Sequence, residues 1–151
     1  MEDYEKELLL RDLGTRFVGG VYCQVDGVEE PVKLLSIHAD HVDGILIQFD
    51  KKDKDGHILE VYVSEVKPDL RPMSSMTDEE RNIYKSFFSI GEYSCGGSLY
   101  GKEYEYIDSD SDDIVQCISL IDWLNEHHFD YRGLIEKGLA LEATENMYKD
   151  N

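Results

Sequence analysis

The sequence predicts an α+β protein in which a small antiparallel β-meander, or an SH3-like partial barrel, is followed by a two-helix lobe. Apolar and polar residues alternate within residues 17–63, which is typical of half-buried strands. The pattern changes in the second half. There a capping box at residues 77–80 starts one helix, and an apolar stripe at helical spacing marks another in residues 112–127. Strands followed by helices in this order are typical of an α+β fold.

Length and charge limit the organisation and the function classes. The 151 residues suit one cooperative domain, with a first lobe at residues 1–76 and a helical lobe packed on it at residues 77–151. There are 33 acidic and 15 basic residues, so the net charge is −18. This charge argues against direct nucleic-acid binding, which depends on lysine and arginine at the phosphates. No apolar run reaches the length of a membrane span, and the N-terminus is unlike a secretion signal.

The first lobe is predicted to begin with a helix over residues 3–13, because acids occupy its first turn and Gly14 stands where a C-terminal cap belongs. Alternating apolar residues then predict four strands. Their members are Val21, Cys23 and Val25; Leu35 and Ile37; Ile45, Ile47 and Phe49; and Leu59, Val61 and Val63. The polar segment 50–56 ends in Asp-Gly and predicts a hairpin between the last two strands.

Residues 67–76 are predicted to form a rigid connector rather than a central strand or a helix. Pro68 and Pro72 lack the backbone donor that both structures use, and they bias the preceding residues toward an extended conformation. Because a stiff extended segment gains stability only by packing, we expect Leu70 and Met73 to be buried between the lobes.

The first helix of the second lobe is predicted to start at Thr77, which forms a capping box with Glu80. It should run to about residue 88, with Ile83 and Phe87 buried. The second helix, in residues 112–127, has one apolar stripe. Its members are Ile114, Cys117, Ile118, Ile121 and Leu124.

The remaining segments of the second lobe give weaker signals. Residues 91–101 are rich in glycine and predict a loop or a short hairpin. Residues 139–143 are expected to form a short strand, and the chain is expected to fray from Asn146 onward.

Motifs for cofactors, calcium and covalent catalysis fail at specific positions. An EF-hand loop starting at Lys51 would end on Tyr62, and one starting at Asp108 would end on Ser119, where calcium needs a bidentate glutamate. No nucleotide-binding motif and no nucleophile elbow occurs, so we assign no cofactor and no catalytic residue. Three cysteines at unrelated spacings predict free thiols in a reducing cytosol.

Two adjacent histidines, His127 and His128, are the candidate ligands for a transition metal, with Asp122 and Asp130 nearby. Neighbouring residues on a helix point about 100° apart, so the two imidazoles cannot easily share one ion. The alternative is a helix C-terminus with one histidine packed and one solvated. We therefore assign no metal ligand.

An acidic stretch gives the strongest hint of a binding surface. It interleaves carboxylates with Tyr104 and Tyr106 and contains no base. Its acids are Glu103, Glu105, Asp108, Asp110, Asp112 and Asp113. Spaced carboxylates can imitate a phosphate backbone and attract a basic protein surface. The alternative interpretation is a solvated loop that leads into a helix.

Two stretches of the chain resemble a single protein family. Residues 67–80 read KPDLRPMSSMTDEE and resemble a KPYLRPMSSMTEEE segment, while residues 122–143 resemble a WLxxHHFDYRGLIxxGLALEA ending. Both segments occur in proteins encoded by phages and prophages of gut Bacteroidetes, a family without a known activity. Residues 6–13 fit the opening of the same family. The resemblance implies a phage-related origin and a host cytoplasm, but no reaction.

These observations predict a phage-derived accessory or interaction protein that binds a basic protein through an acidic face. The alternative is a small metal-dependent hydrolase built on His127, His128 and nearby carboxylates. For either function we expect a cytoplasmic protein that contacts neither nucleic acid nor membrane directly.

Overall fold

A computed structural model describes residues 1–40, 44–88, 97–99, 102–104 and 111–149. Within these ranges the α+β class predicted from the sequence is confirmed. The helices are α1 (Asp3–Arg16), α2 (Asp78–Ser86) and α3 (Ser111–Glu126). The strands are β1 (Tyr22–Val25), β2 (Val32–Asp40), β3 (Gly44–Lys52), β4 (Ile58–Tyr62), β5 (Val66–Leu70), β6 (Gly97–Leu99), β7 (Lys102–Tyr104) and β8 (Leu141–Glu142).

The chain divides into two compact units. Unit 1 consists of Met1–Met73 together with Asn125–Asn151, and unit 2 consists of Ser74–Leu124. The boundary falls within α3, so the segment that follows this helix belongs to the same unit as β1 to β5.

Unit 1 contains a six-stranded sheet in the order β4-β3-β2-β1-β5-β8, antiparallel except for the β5–β8 pair. The sheet is open, so of the two predicted architectures it is the meander and not the barrel that forms.

Leu9 and Leu13 of α1 are fully buried in the core of this unit. The helix continues past Gly14, so the cap predicted there is wrong. The helix continues because Arg16 lies one turn after Asp12 and forms a buried ion pair with that residue.

A bulge in β2 changes which of its residues face the core. Val32 and Leu34 are buried, but Leu35 is 40% exposed, so the prediction that Leu35 faces the core is wrong. The register with β3 shifts between Leu34 and Ser36, and one extra residue moves the inward phase by one position. Beyond the bulge, Ile37 therefore lies opposite the buried Ile47.

The connector prediction is wrong at Pro68, because β5 is an interior strand of the sheet. Asp26 N–H donates to Glu65 O (3.0 Å), and this register makes Pro68 and Cys23 a pair that exchanges no hydrogen bonds. Pairing with β8 begins only at Asp69. The proline therefore occupies a position at which no ladder donor is needed. Leu70 is buried in the core of unit 1, whereas Met73 is only half-buried, so the predicted burial of both residues between the lobes is wrong for Met73.

Unit 2 begins with the predicted capping box. Thr77 N donates to Glu80 Oε1 (3.0 Å), and Glu80 N donates to Thr77 Oγ1 (3.1 Å). Ile83 is 40% exposed, so its predicted burial is wrong, while Phe87 is half-buried beside the ring of Trp123. The short hairpin allowed by the glycine-rich sequence forms between β6 and β7.

The position of α3 agrees with the prediction, and Leu124 of the predicted apolar stripe is buried, but the predicted burial of Ile118 is wrong. Ile118 is 55% exposed, whereas Leu120 (4%) and Leu124 (0%) are buried. The helix has apolar residues on more than one side, so spacing alone could not select the buried side. Cys117 is disulfide-bonded, so the prediction of free thiols is wrong for this residue.

Candidate functional site

The segment that follows β8, residues 143–149, forms a strap along unit 1, and we call it the C-terminal strap. Ala143 N donates to Leu70 O (2.8 Å), which extends the pairing of β8 with β5. Near the other end of the strap, the Tyr148 hydroxyl donates to Asp69 O (2.7 Å) and accepts from Tyr22 N (3.1 Å). The expectation that the chain frays from Asn146 is therefore wrong at Tyr148.

The Tyr148 hydroxyl replaces a bond of the β1–β5 ladder. In the register of these strands, Tyr22 and Asp69 would be the next pair to exchange hydrogen bonds after Gln24 and Lys67. Instead the hydroxyl oxygen lies between the Tyr22 donor and the Asp69 acceptor. One side chain thus satisfies two backbone groups at the point where the strands separate.

His128 lies beneath Tyr148 and is 4% exposed. It follows the end of α3 with φ of +63°, and its ring stacks on that of Tyr148 at a centroid distance of 3.6 Å and an angle of 15°. Burial, followed by the positive field of Arg16, lowers the pKa of His128 to about 4. Its Nδ1 is buried without a hydrogen-bond partner in the described part of the chain.

Asp69 and Cys23 are two further buried titratable groups near Tyr148. Asp69 is 3% exposed, and burial raises its pKa to about 6, while a hydrogen bond with Gln24 acts in the opposite direction. Burial, followed by the charges of Asp69 and Asp12, raises the pKa of the Cys23 thiol. A buried thiol that stays protonated is suited to packing rather than to nucleophilic attack.

A buried ion pair anchors the segment after α3 to α1. Arg16 donates to Asp12 through Nε (2.7 Å) and Nη2 (3.0 Å), and Nη2 also donates to Phe129 O (2.8 Å). Arg132 Nε lies 3.3 Å from the same carboxylate, and the ring of Tyr131 faces both guanidinium groups. These contacts fix the chain that leads to the strap.

An open pocket of about 360 Å³ lies next to the strap. It is lined by Tyr22 of β1, Glu30 and Pro31 before β2, and Met147 of the strap. None of these residues, and neither Asp69 nor Tyr148, stood out in the sequence. Strand alternation in β5 would have placed Asp69 on the face opposite Val66 and Leu70. Because residues 67–76 are interpreted from the sequence as a connector, that alternation was not applied to them.

The acids predicted to bind a partner are only partly covered by the structure. Glu103 lies in β7, and Asp112 and Asp113 lie in the first turn of α3. The other three predicted binding acids lie outside the described residues. They are Glu105, Asp108 and Asp110. The prediction that the six acids form one surface stays a prediction.

The candidate metal ligands do not come together at the histidine pair. His128 is buried, His127 is half-buried, and neither belongs to the one group of possible ligands found among the described residues. That group is Asp53, Asp55 and His57, in the exposed β3–β4 hairpin that also contains the first EF-hand-like stretch. Asp53 Oδ1 already accepts from the backbone N–H groups of the other two, as a turn requires.

Comparison with protein-family models, with curated proteins and with solved structures found no match. In the described ranges, no helix combines the length and the apolar character needed to cross a membrane.

Proposed function

We propose that the protein is a non-catalytic interaction protein of phage origin that binds a basic protein through the acid-rich part of unit 2. The observation that carries this proposal is the charge of that unit. It contains 11 acids and only three bases in Ser74–Leu124, and six of those acids are the ones predicted to bind. A concentrated negative charge attracts a basic surface and raises the association rate.

The exposure of the acids in the described residues supports this proposal. Among the acids whose burial the structure describes, only Asp12, Asp69 and Asp130 are buried, and Asp12 and Asp130 have internal partners. Asp78, in the first turn of α2, is fully exposed. Glu79 and Asp122 of the same unit are exposed as well, so these acids lie where a partner can reach them.

The hydrolase alternative has less physical support. A metal ligand must offer an accessible nitrogen, but His128 is stacked under Tyr148 and buried. His127 does not belong to the group of possible metal ligands found among the described residues. A metal-dependent reaction that is lost in His127→Ala would favour this alternative over the interaction protein.

The test compares capture of partners from the lysate of a phage-carrying host. The acidic variant replaces Asp108, Asp110, Asp112 and Asp113 by Asn. A charge-matched control replaces four exposed acids of unit 1, namely Asp3→Asn, Glu7→Gln, Asp55→Asn and Glu136→Gln. We expect the wild type and the control to recover the same basic protein at low salt, and the acidic variant to recover much less. Equal recovery by all three proteins would contradict the proposal.

The proposed origin and location depend on the resemblance alone. We propose the cytoplasm of a bacterial host, which the family implies. Disulfides are rare in a reducing cytosol. A disulfide at Cys117 in cells would therefore argue against this location, and a free thiol there would agree with it.

A further inference from the structure

The pocket beside the C-terminal strap combines three kinds of surface in a small space. Glu30 contributes an exposed carboxylate, Tyr22 an aromatic ring, and Pro31 and Met147 contribute apolar atoms. Its volume of about 360 Å³ is at the lower end of the range for ligand sites, which suits a side chain rather than a cofactor.

We propose that this pocket receives an arginine side chain of the basic partner, and this inference rests on the proposed function. A guanidinium group pairs with a carboxylate through two parallel hydrogen bonds, stacks on an aromatic ring, and has a methylene stem that packs on apolar atoms. Glu30, Tyr22 and Met147 supply these three interactions in turn. Lysine would keep the charge but lose the paired geometry.

The charges around the pocket favour a cation over an anion or a neutral ligand. Asp26 and Glu29 are exposed in the same β1–β2 connection as Glu30. The base nearest in the sheet register is Lys33, opposite Tyr22. Its side chain runs over Gly20, where it occupies the space that a Cβ would need, and it does not line the pocket.

The fold holds the pocket walls in place before any ligand binds. Tyr22 is fixed through its backbone N–H by the Tyr148 hydroxyl, and the two tyrosine rings are in contact at a centroid distance of 5.8 Å. Met147 precedes Tyr148 in the strap and is positioned by the same anchor. Preorganised walls reduce the entropy lost on binding, so a single side chain can be recognised.

The test is an NMR titration of the full-length protein with an uncharged glycine–serine peptide that carries one arginine. Matched peptides carry citrulline, which has the same shape without the charge, or lysine. We expect the arginine peptide to shift the amide signals of Tyr22 and Met147, lysine to bind more weakly, and citrulline to leave the signals unchanged. Equal shifts with citrulline and arginine would overturn the proposal.

Two variants distinguish binding in the pocket from general attraction of the peptide to the negative charge of the protein. Glu30→Gln should lower the affinity for the arginine peptide by at least about fivefold. Met147→Lys, which places a cation in the pocket, should abolish binding of that peptide. Glu29→Gln removes the same charge one residue away, outside the pocket lining, and should change affinity less than about twofold. Equal losses of affinity in Glu29→Gln and Glu30→Gln would overturn the proposal that the pocket binds arginine.

Failure of the pocket and failure of the proposed function give different results. If the pocket variants have no effect but partner capture still depends on the four acids of unit 2, the arginine site is wrong and the proposed function stands. If partner capture is indifferent to those four acids, the proposed function fails, whatever the peptide titration shows.

Discussion

Replacing Tyr148 by Phe removes one oxygen atom that bridges two strands. The Tyr22 N–H and the Asp69 carbonyl would both lose their partner, since the strands are already separated at this point. An unsatisfied buried backbone group costs about 1–3 kcal/mol. Asp69 is 3% exposed and Tyr22 is half-buried, so we expect a total loss of about 2–4 kcal/mol in the free energy of unfolding.

The loss is measured by urea unfolding of the wild type and the variant, and by thermal melting, where it corresponds to a fall in Tm of roughly 5–15 °C for a chain of this size. Tyr4→Phe is the matched control, because this ring is 66% exposed. We expect Tyr4→Phe to change stability by less than about 0.5 kcal/mol. A Tyr148→Phe variant that is as stable as the Tyr4→Phe control would refute the bridging role.

The remaining predictions concern pH dependence and packing. The pKa of His128 is lowered from 6.5 to about 4, so the wild type should lose stability relative to His128→Asn as pH falls from 6.5 to 4, by up to about 1.4 kcal/mol per pH unit. The pKa of Asp69 is raised from 3.8 to about 6, so relative to Asp69→Asn the wild type should gain stability as pH falls from 6 to 4; denaturant melts across this range test both signs. Ile118→Asp should fold normally and Leu124→Asp should not, as circular dichroism melts would show, because the first side chain is 55% exposed and the second is fully buried. Leu70→Ala should lower the free energy of unfolding by about 2–4 kcal/mol in urea melts.

Much of the fold could be predicted because its signals are local. The capping box of Thr77 and Glu80 involves atoms three residues apart, and alternation at Val21, Cys23 and Val25 depends only on the strand period. Such patterns act within a few residues of each other, so the sequence contains them in full.

The errors arose where a distant partner decides the outcome. Pro68 can occupy an interior strand only because of the register with β1, which depends on residues more than 40 positions away. Gly14 lies inside α1 because the helix continues to Arg16, whose other partner, the Phe129 carbonyl, is 113 positions along the chain. Which side of α3 is buried, and therefore whether Ile118 is exposed, depends on what packs against the helix. The spacing of apolar residues alone does not reveal this.

The candidate sites differ in how far the sequence could predict them. The acids from Glu103 to Asp113 stand out as a charge run, but whether they form one surface depends on tertiary structure. The pocket joins the β1–β2 connection to a residue near the C-terminus, and its residues form no motif. Tyr148 lies in the terminal segment that is expected to fray, although its hydroxyl bonds to two strands of the sheet.

The most direct test of the proposed function is the salt dependence of the association rate between this protein and the basic partner captured from the host. Stopped-flow measurements at several ionic strengths would use the wild type, the four-Asn variant and the charge-matched control. We expect the association rate to fall steeply with salt for the wild type and the control, and to be slower and less salt-dependent for the four-Asn variant. Identical salt dependence for the four-Asn variant and the control would contradict a binding face at the acid-rich part of unit 2.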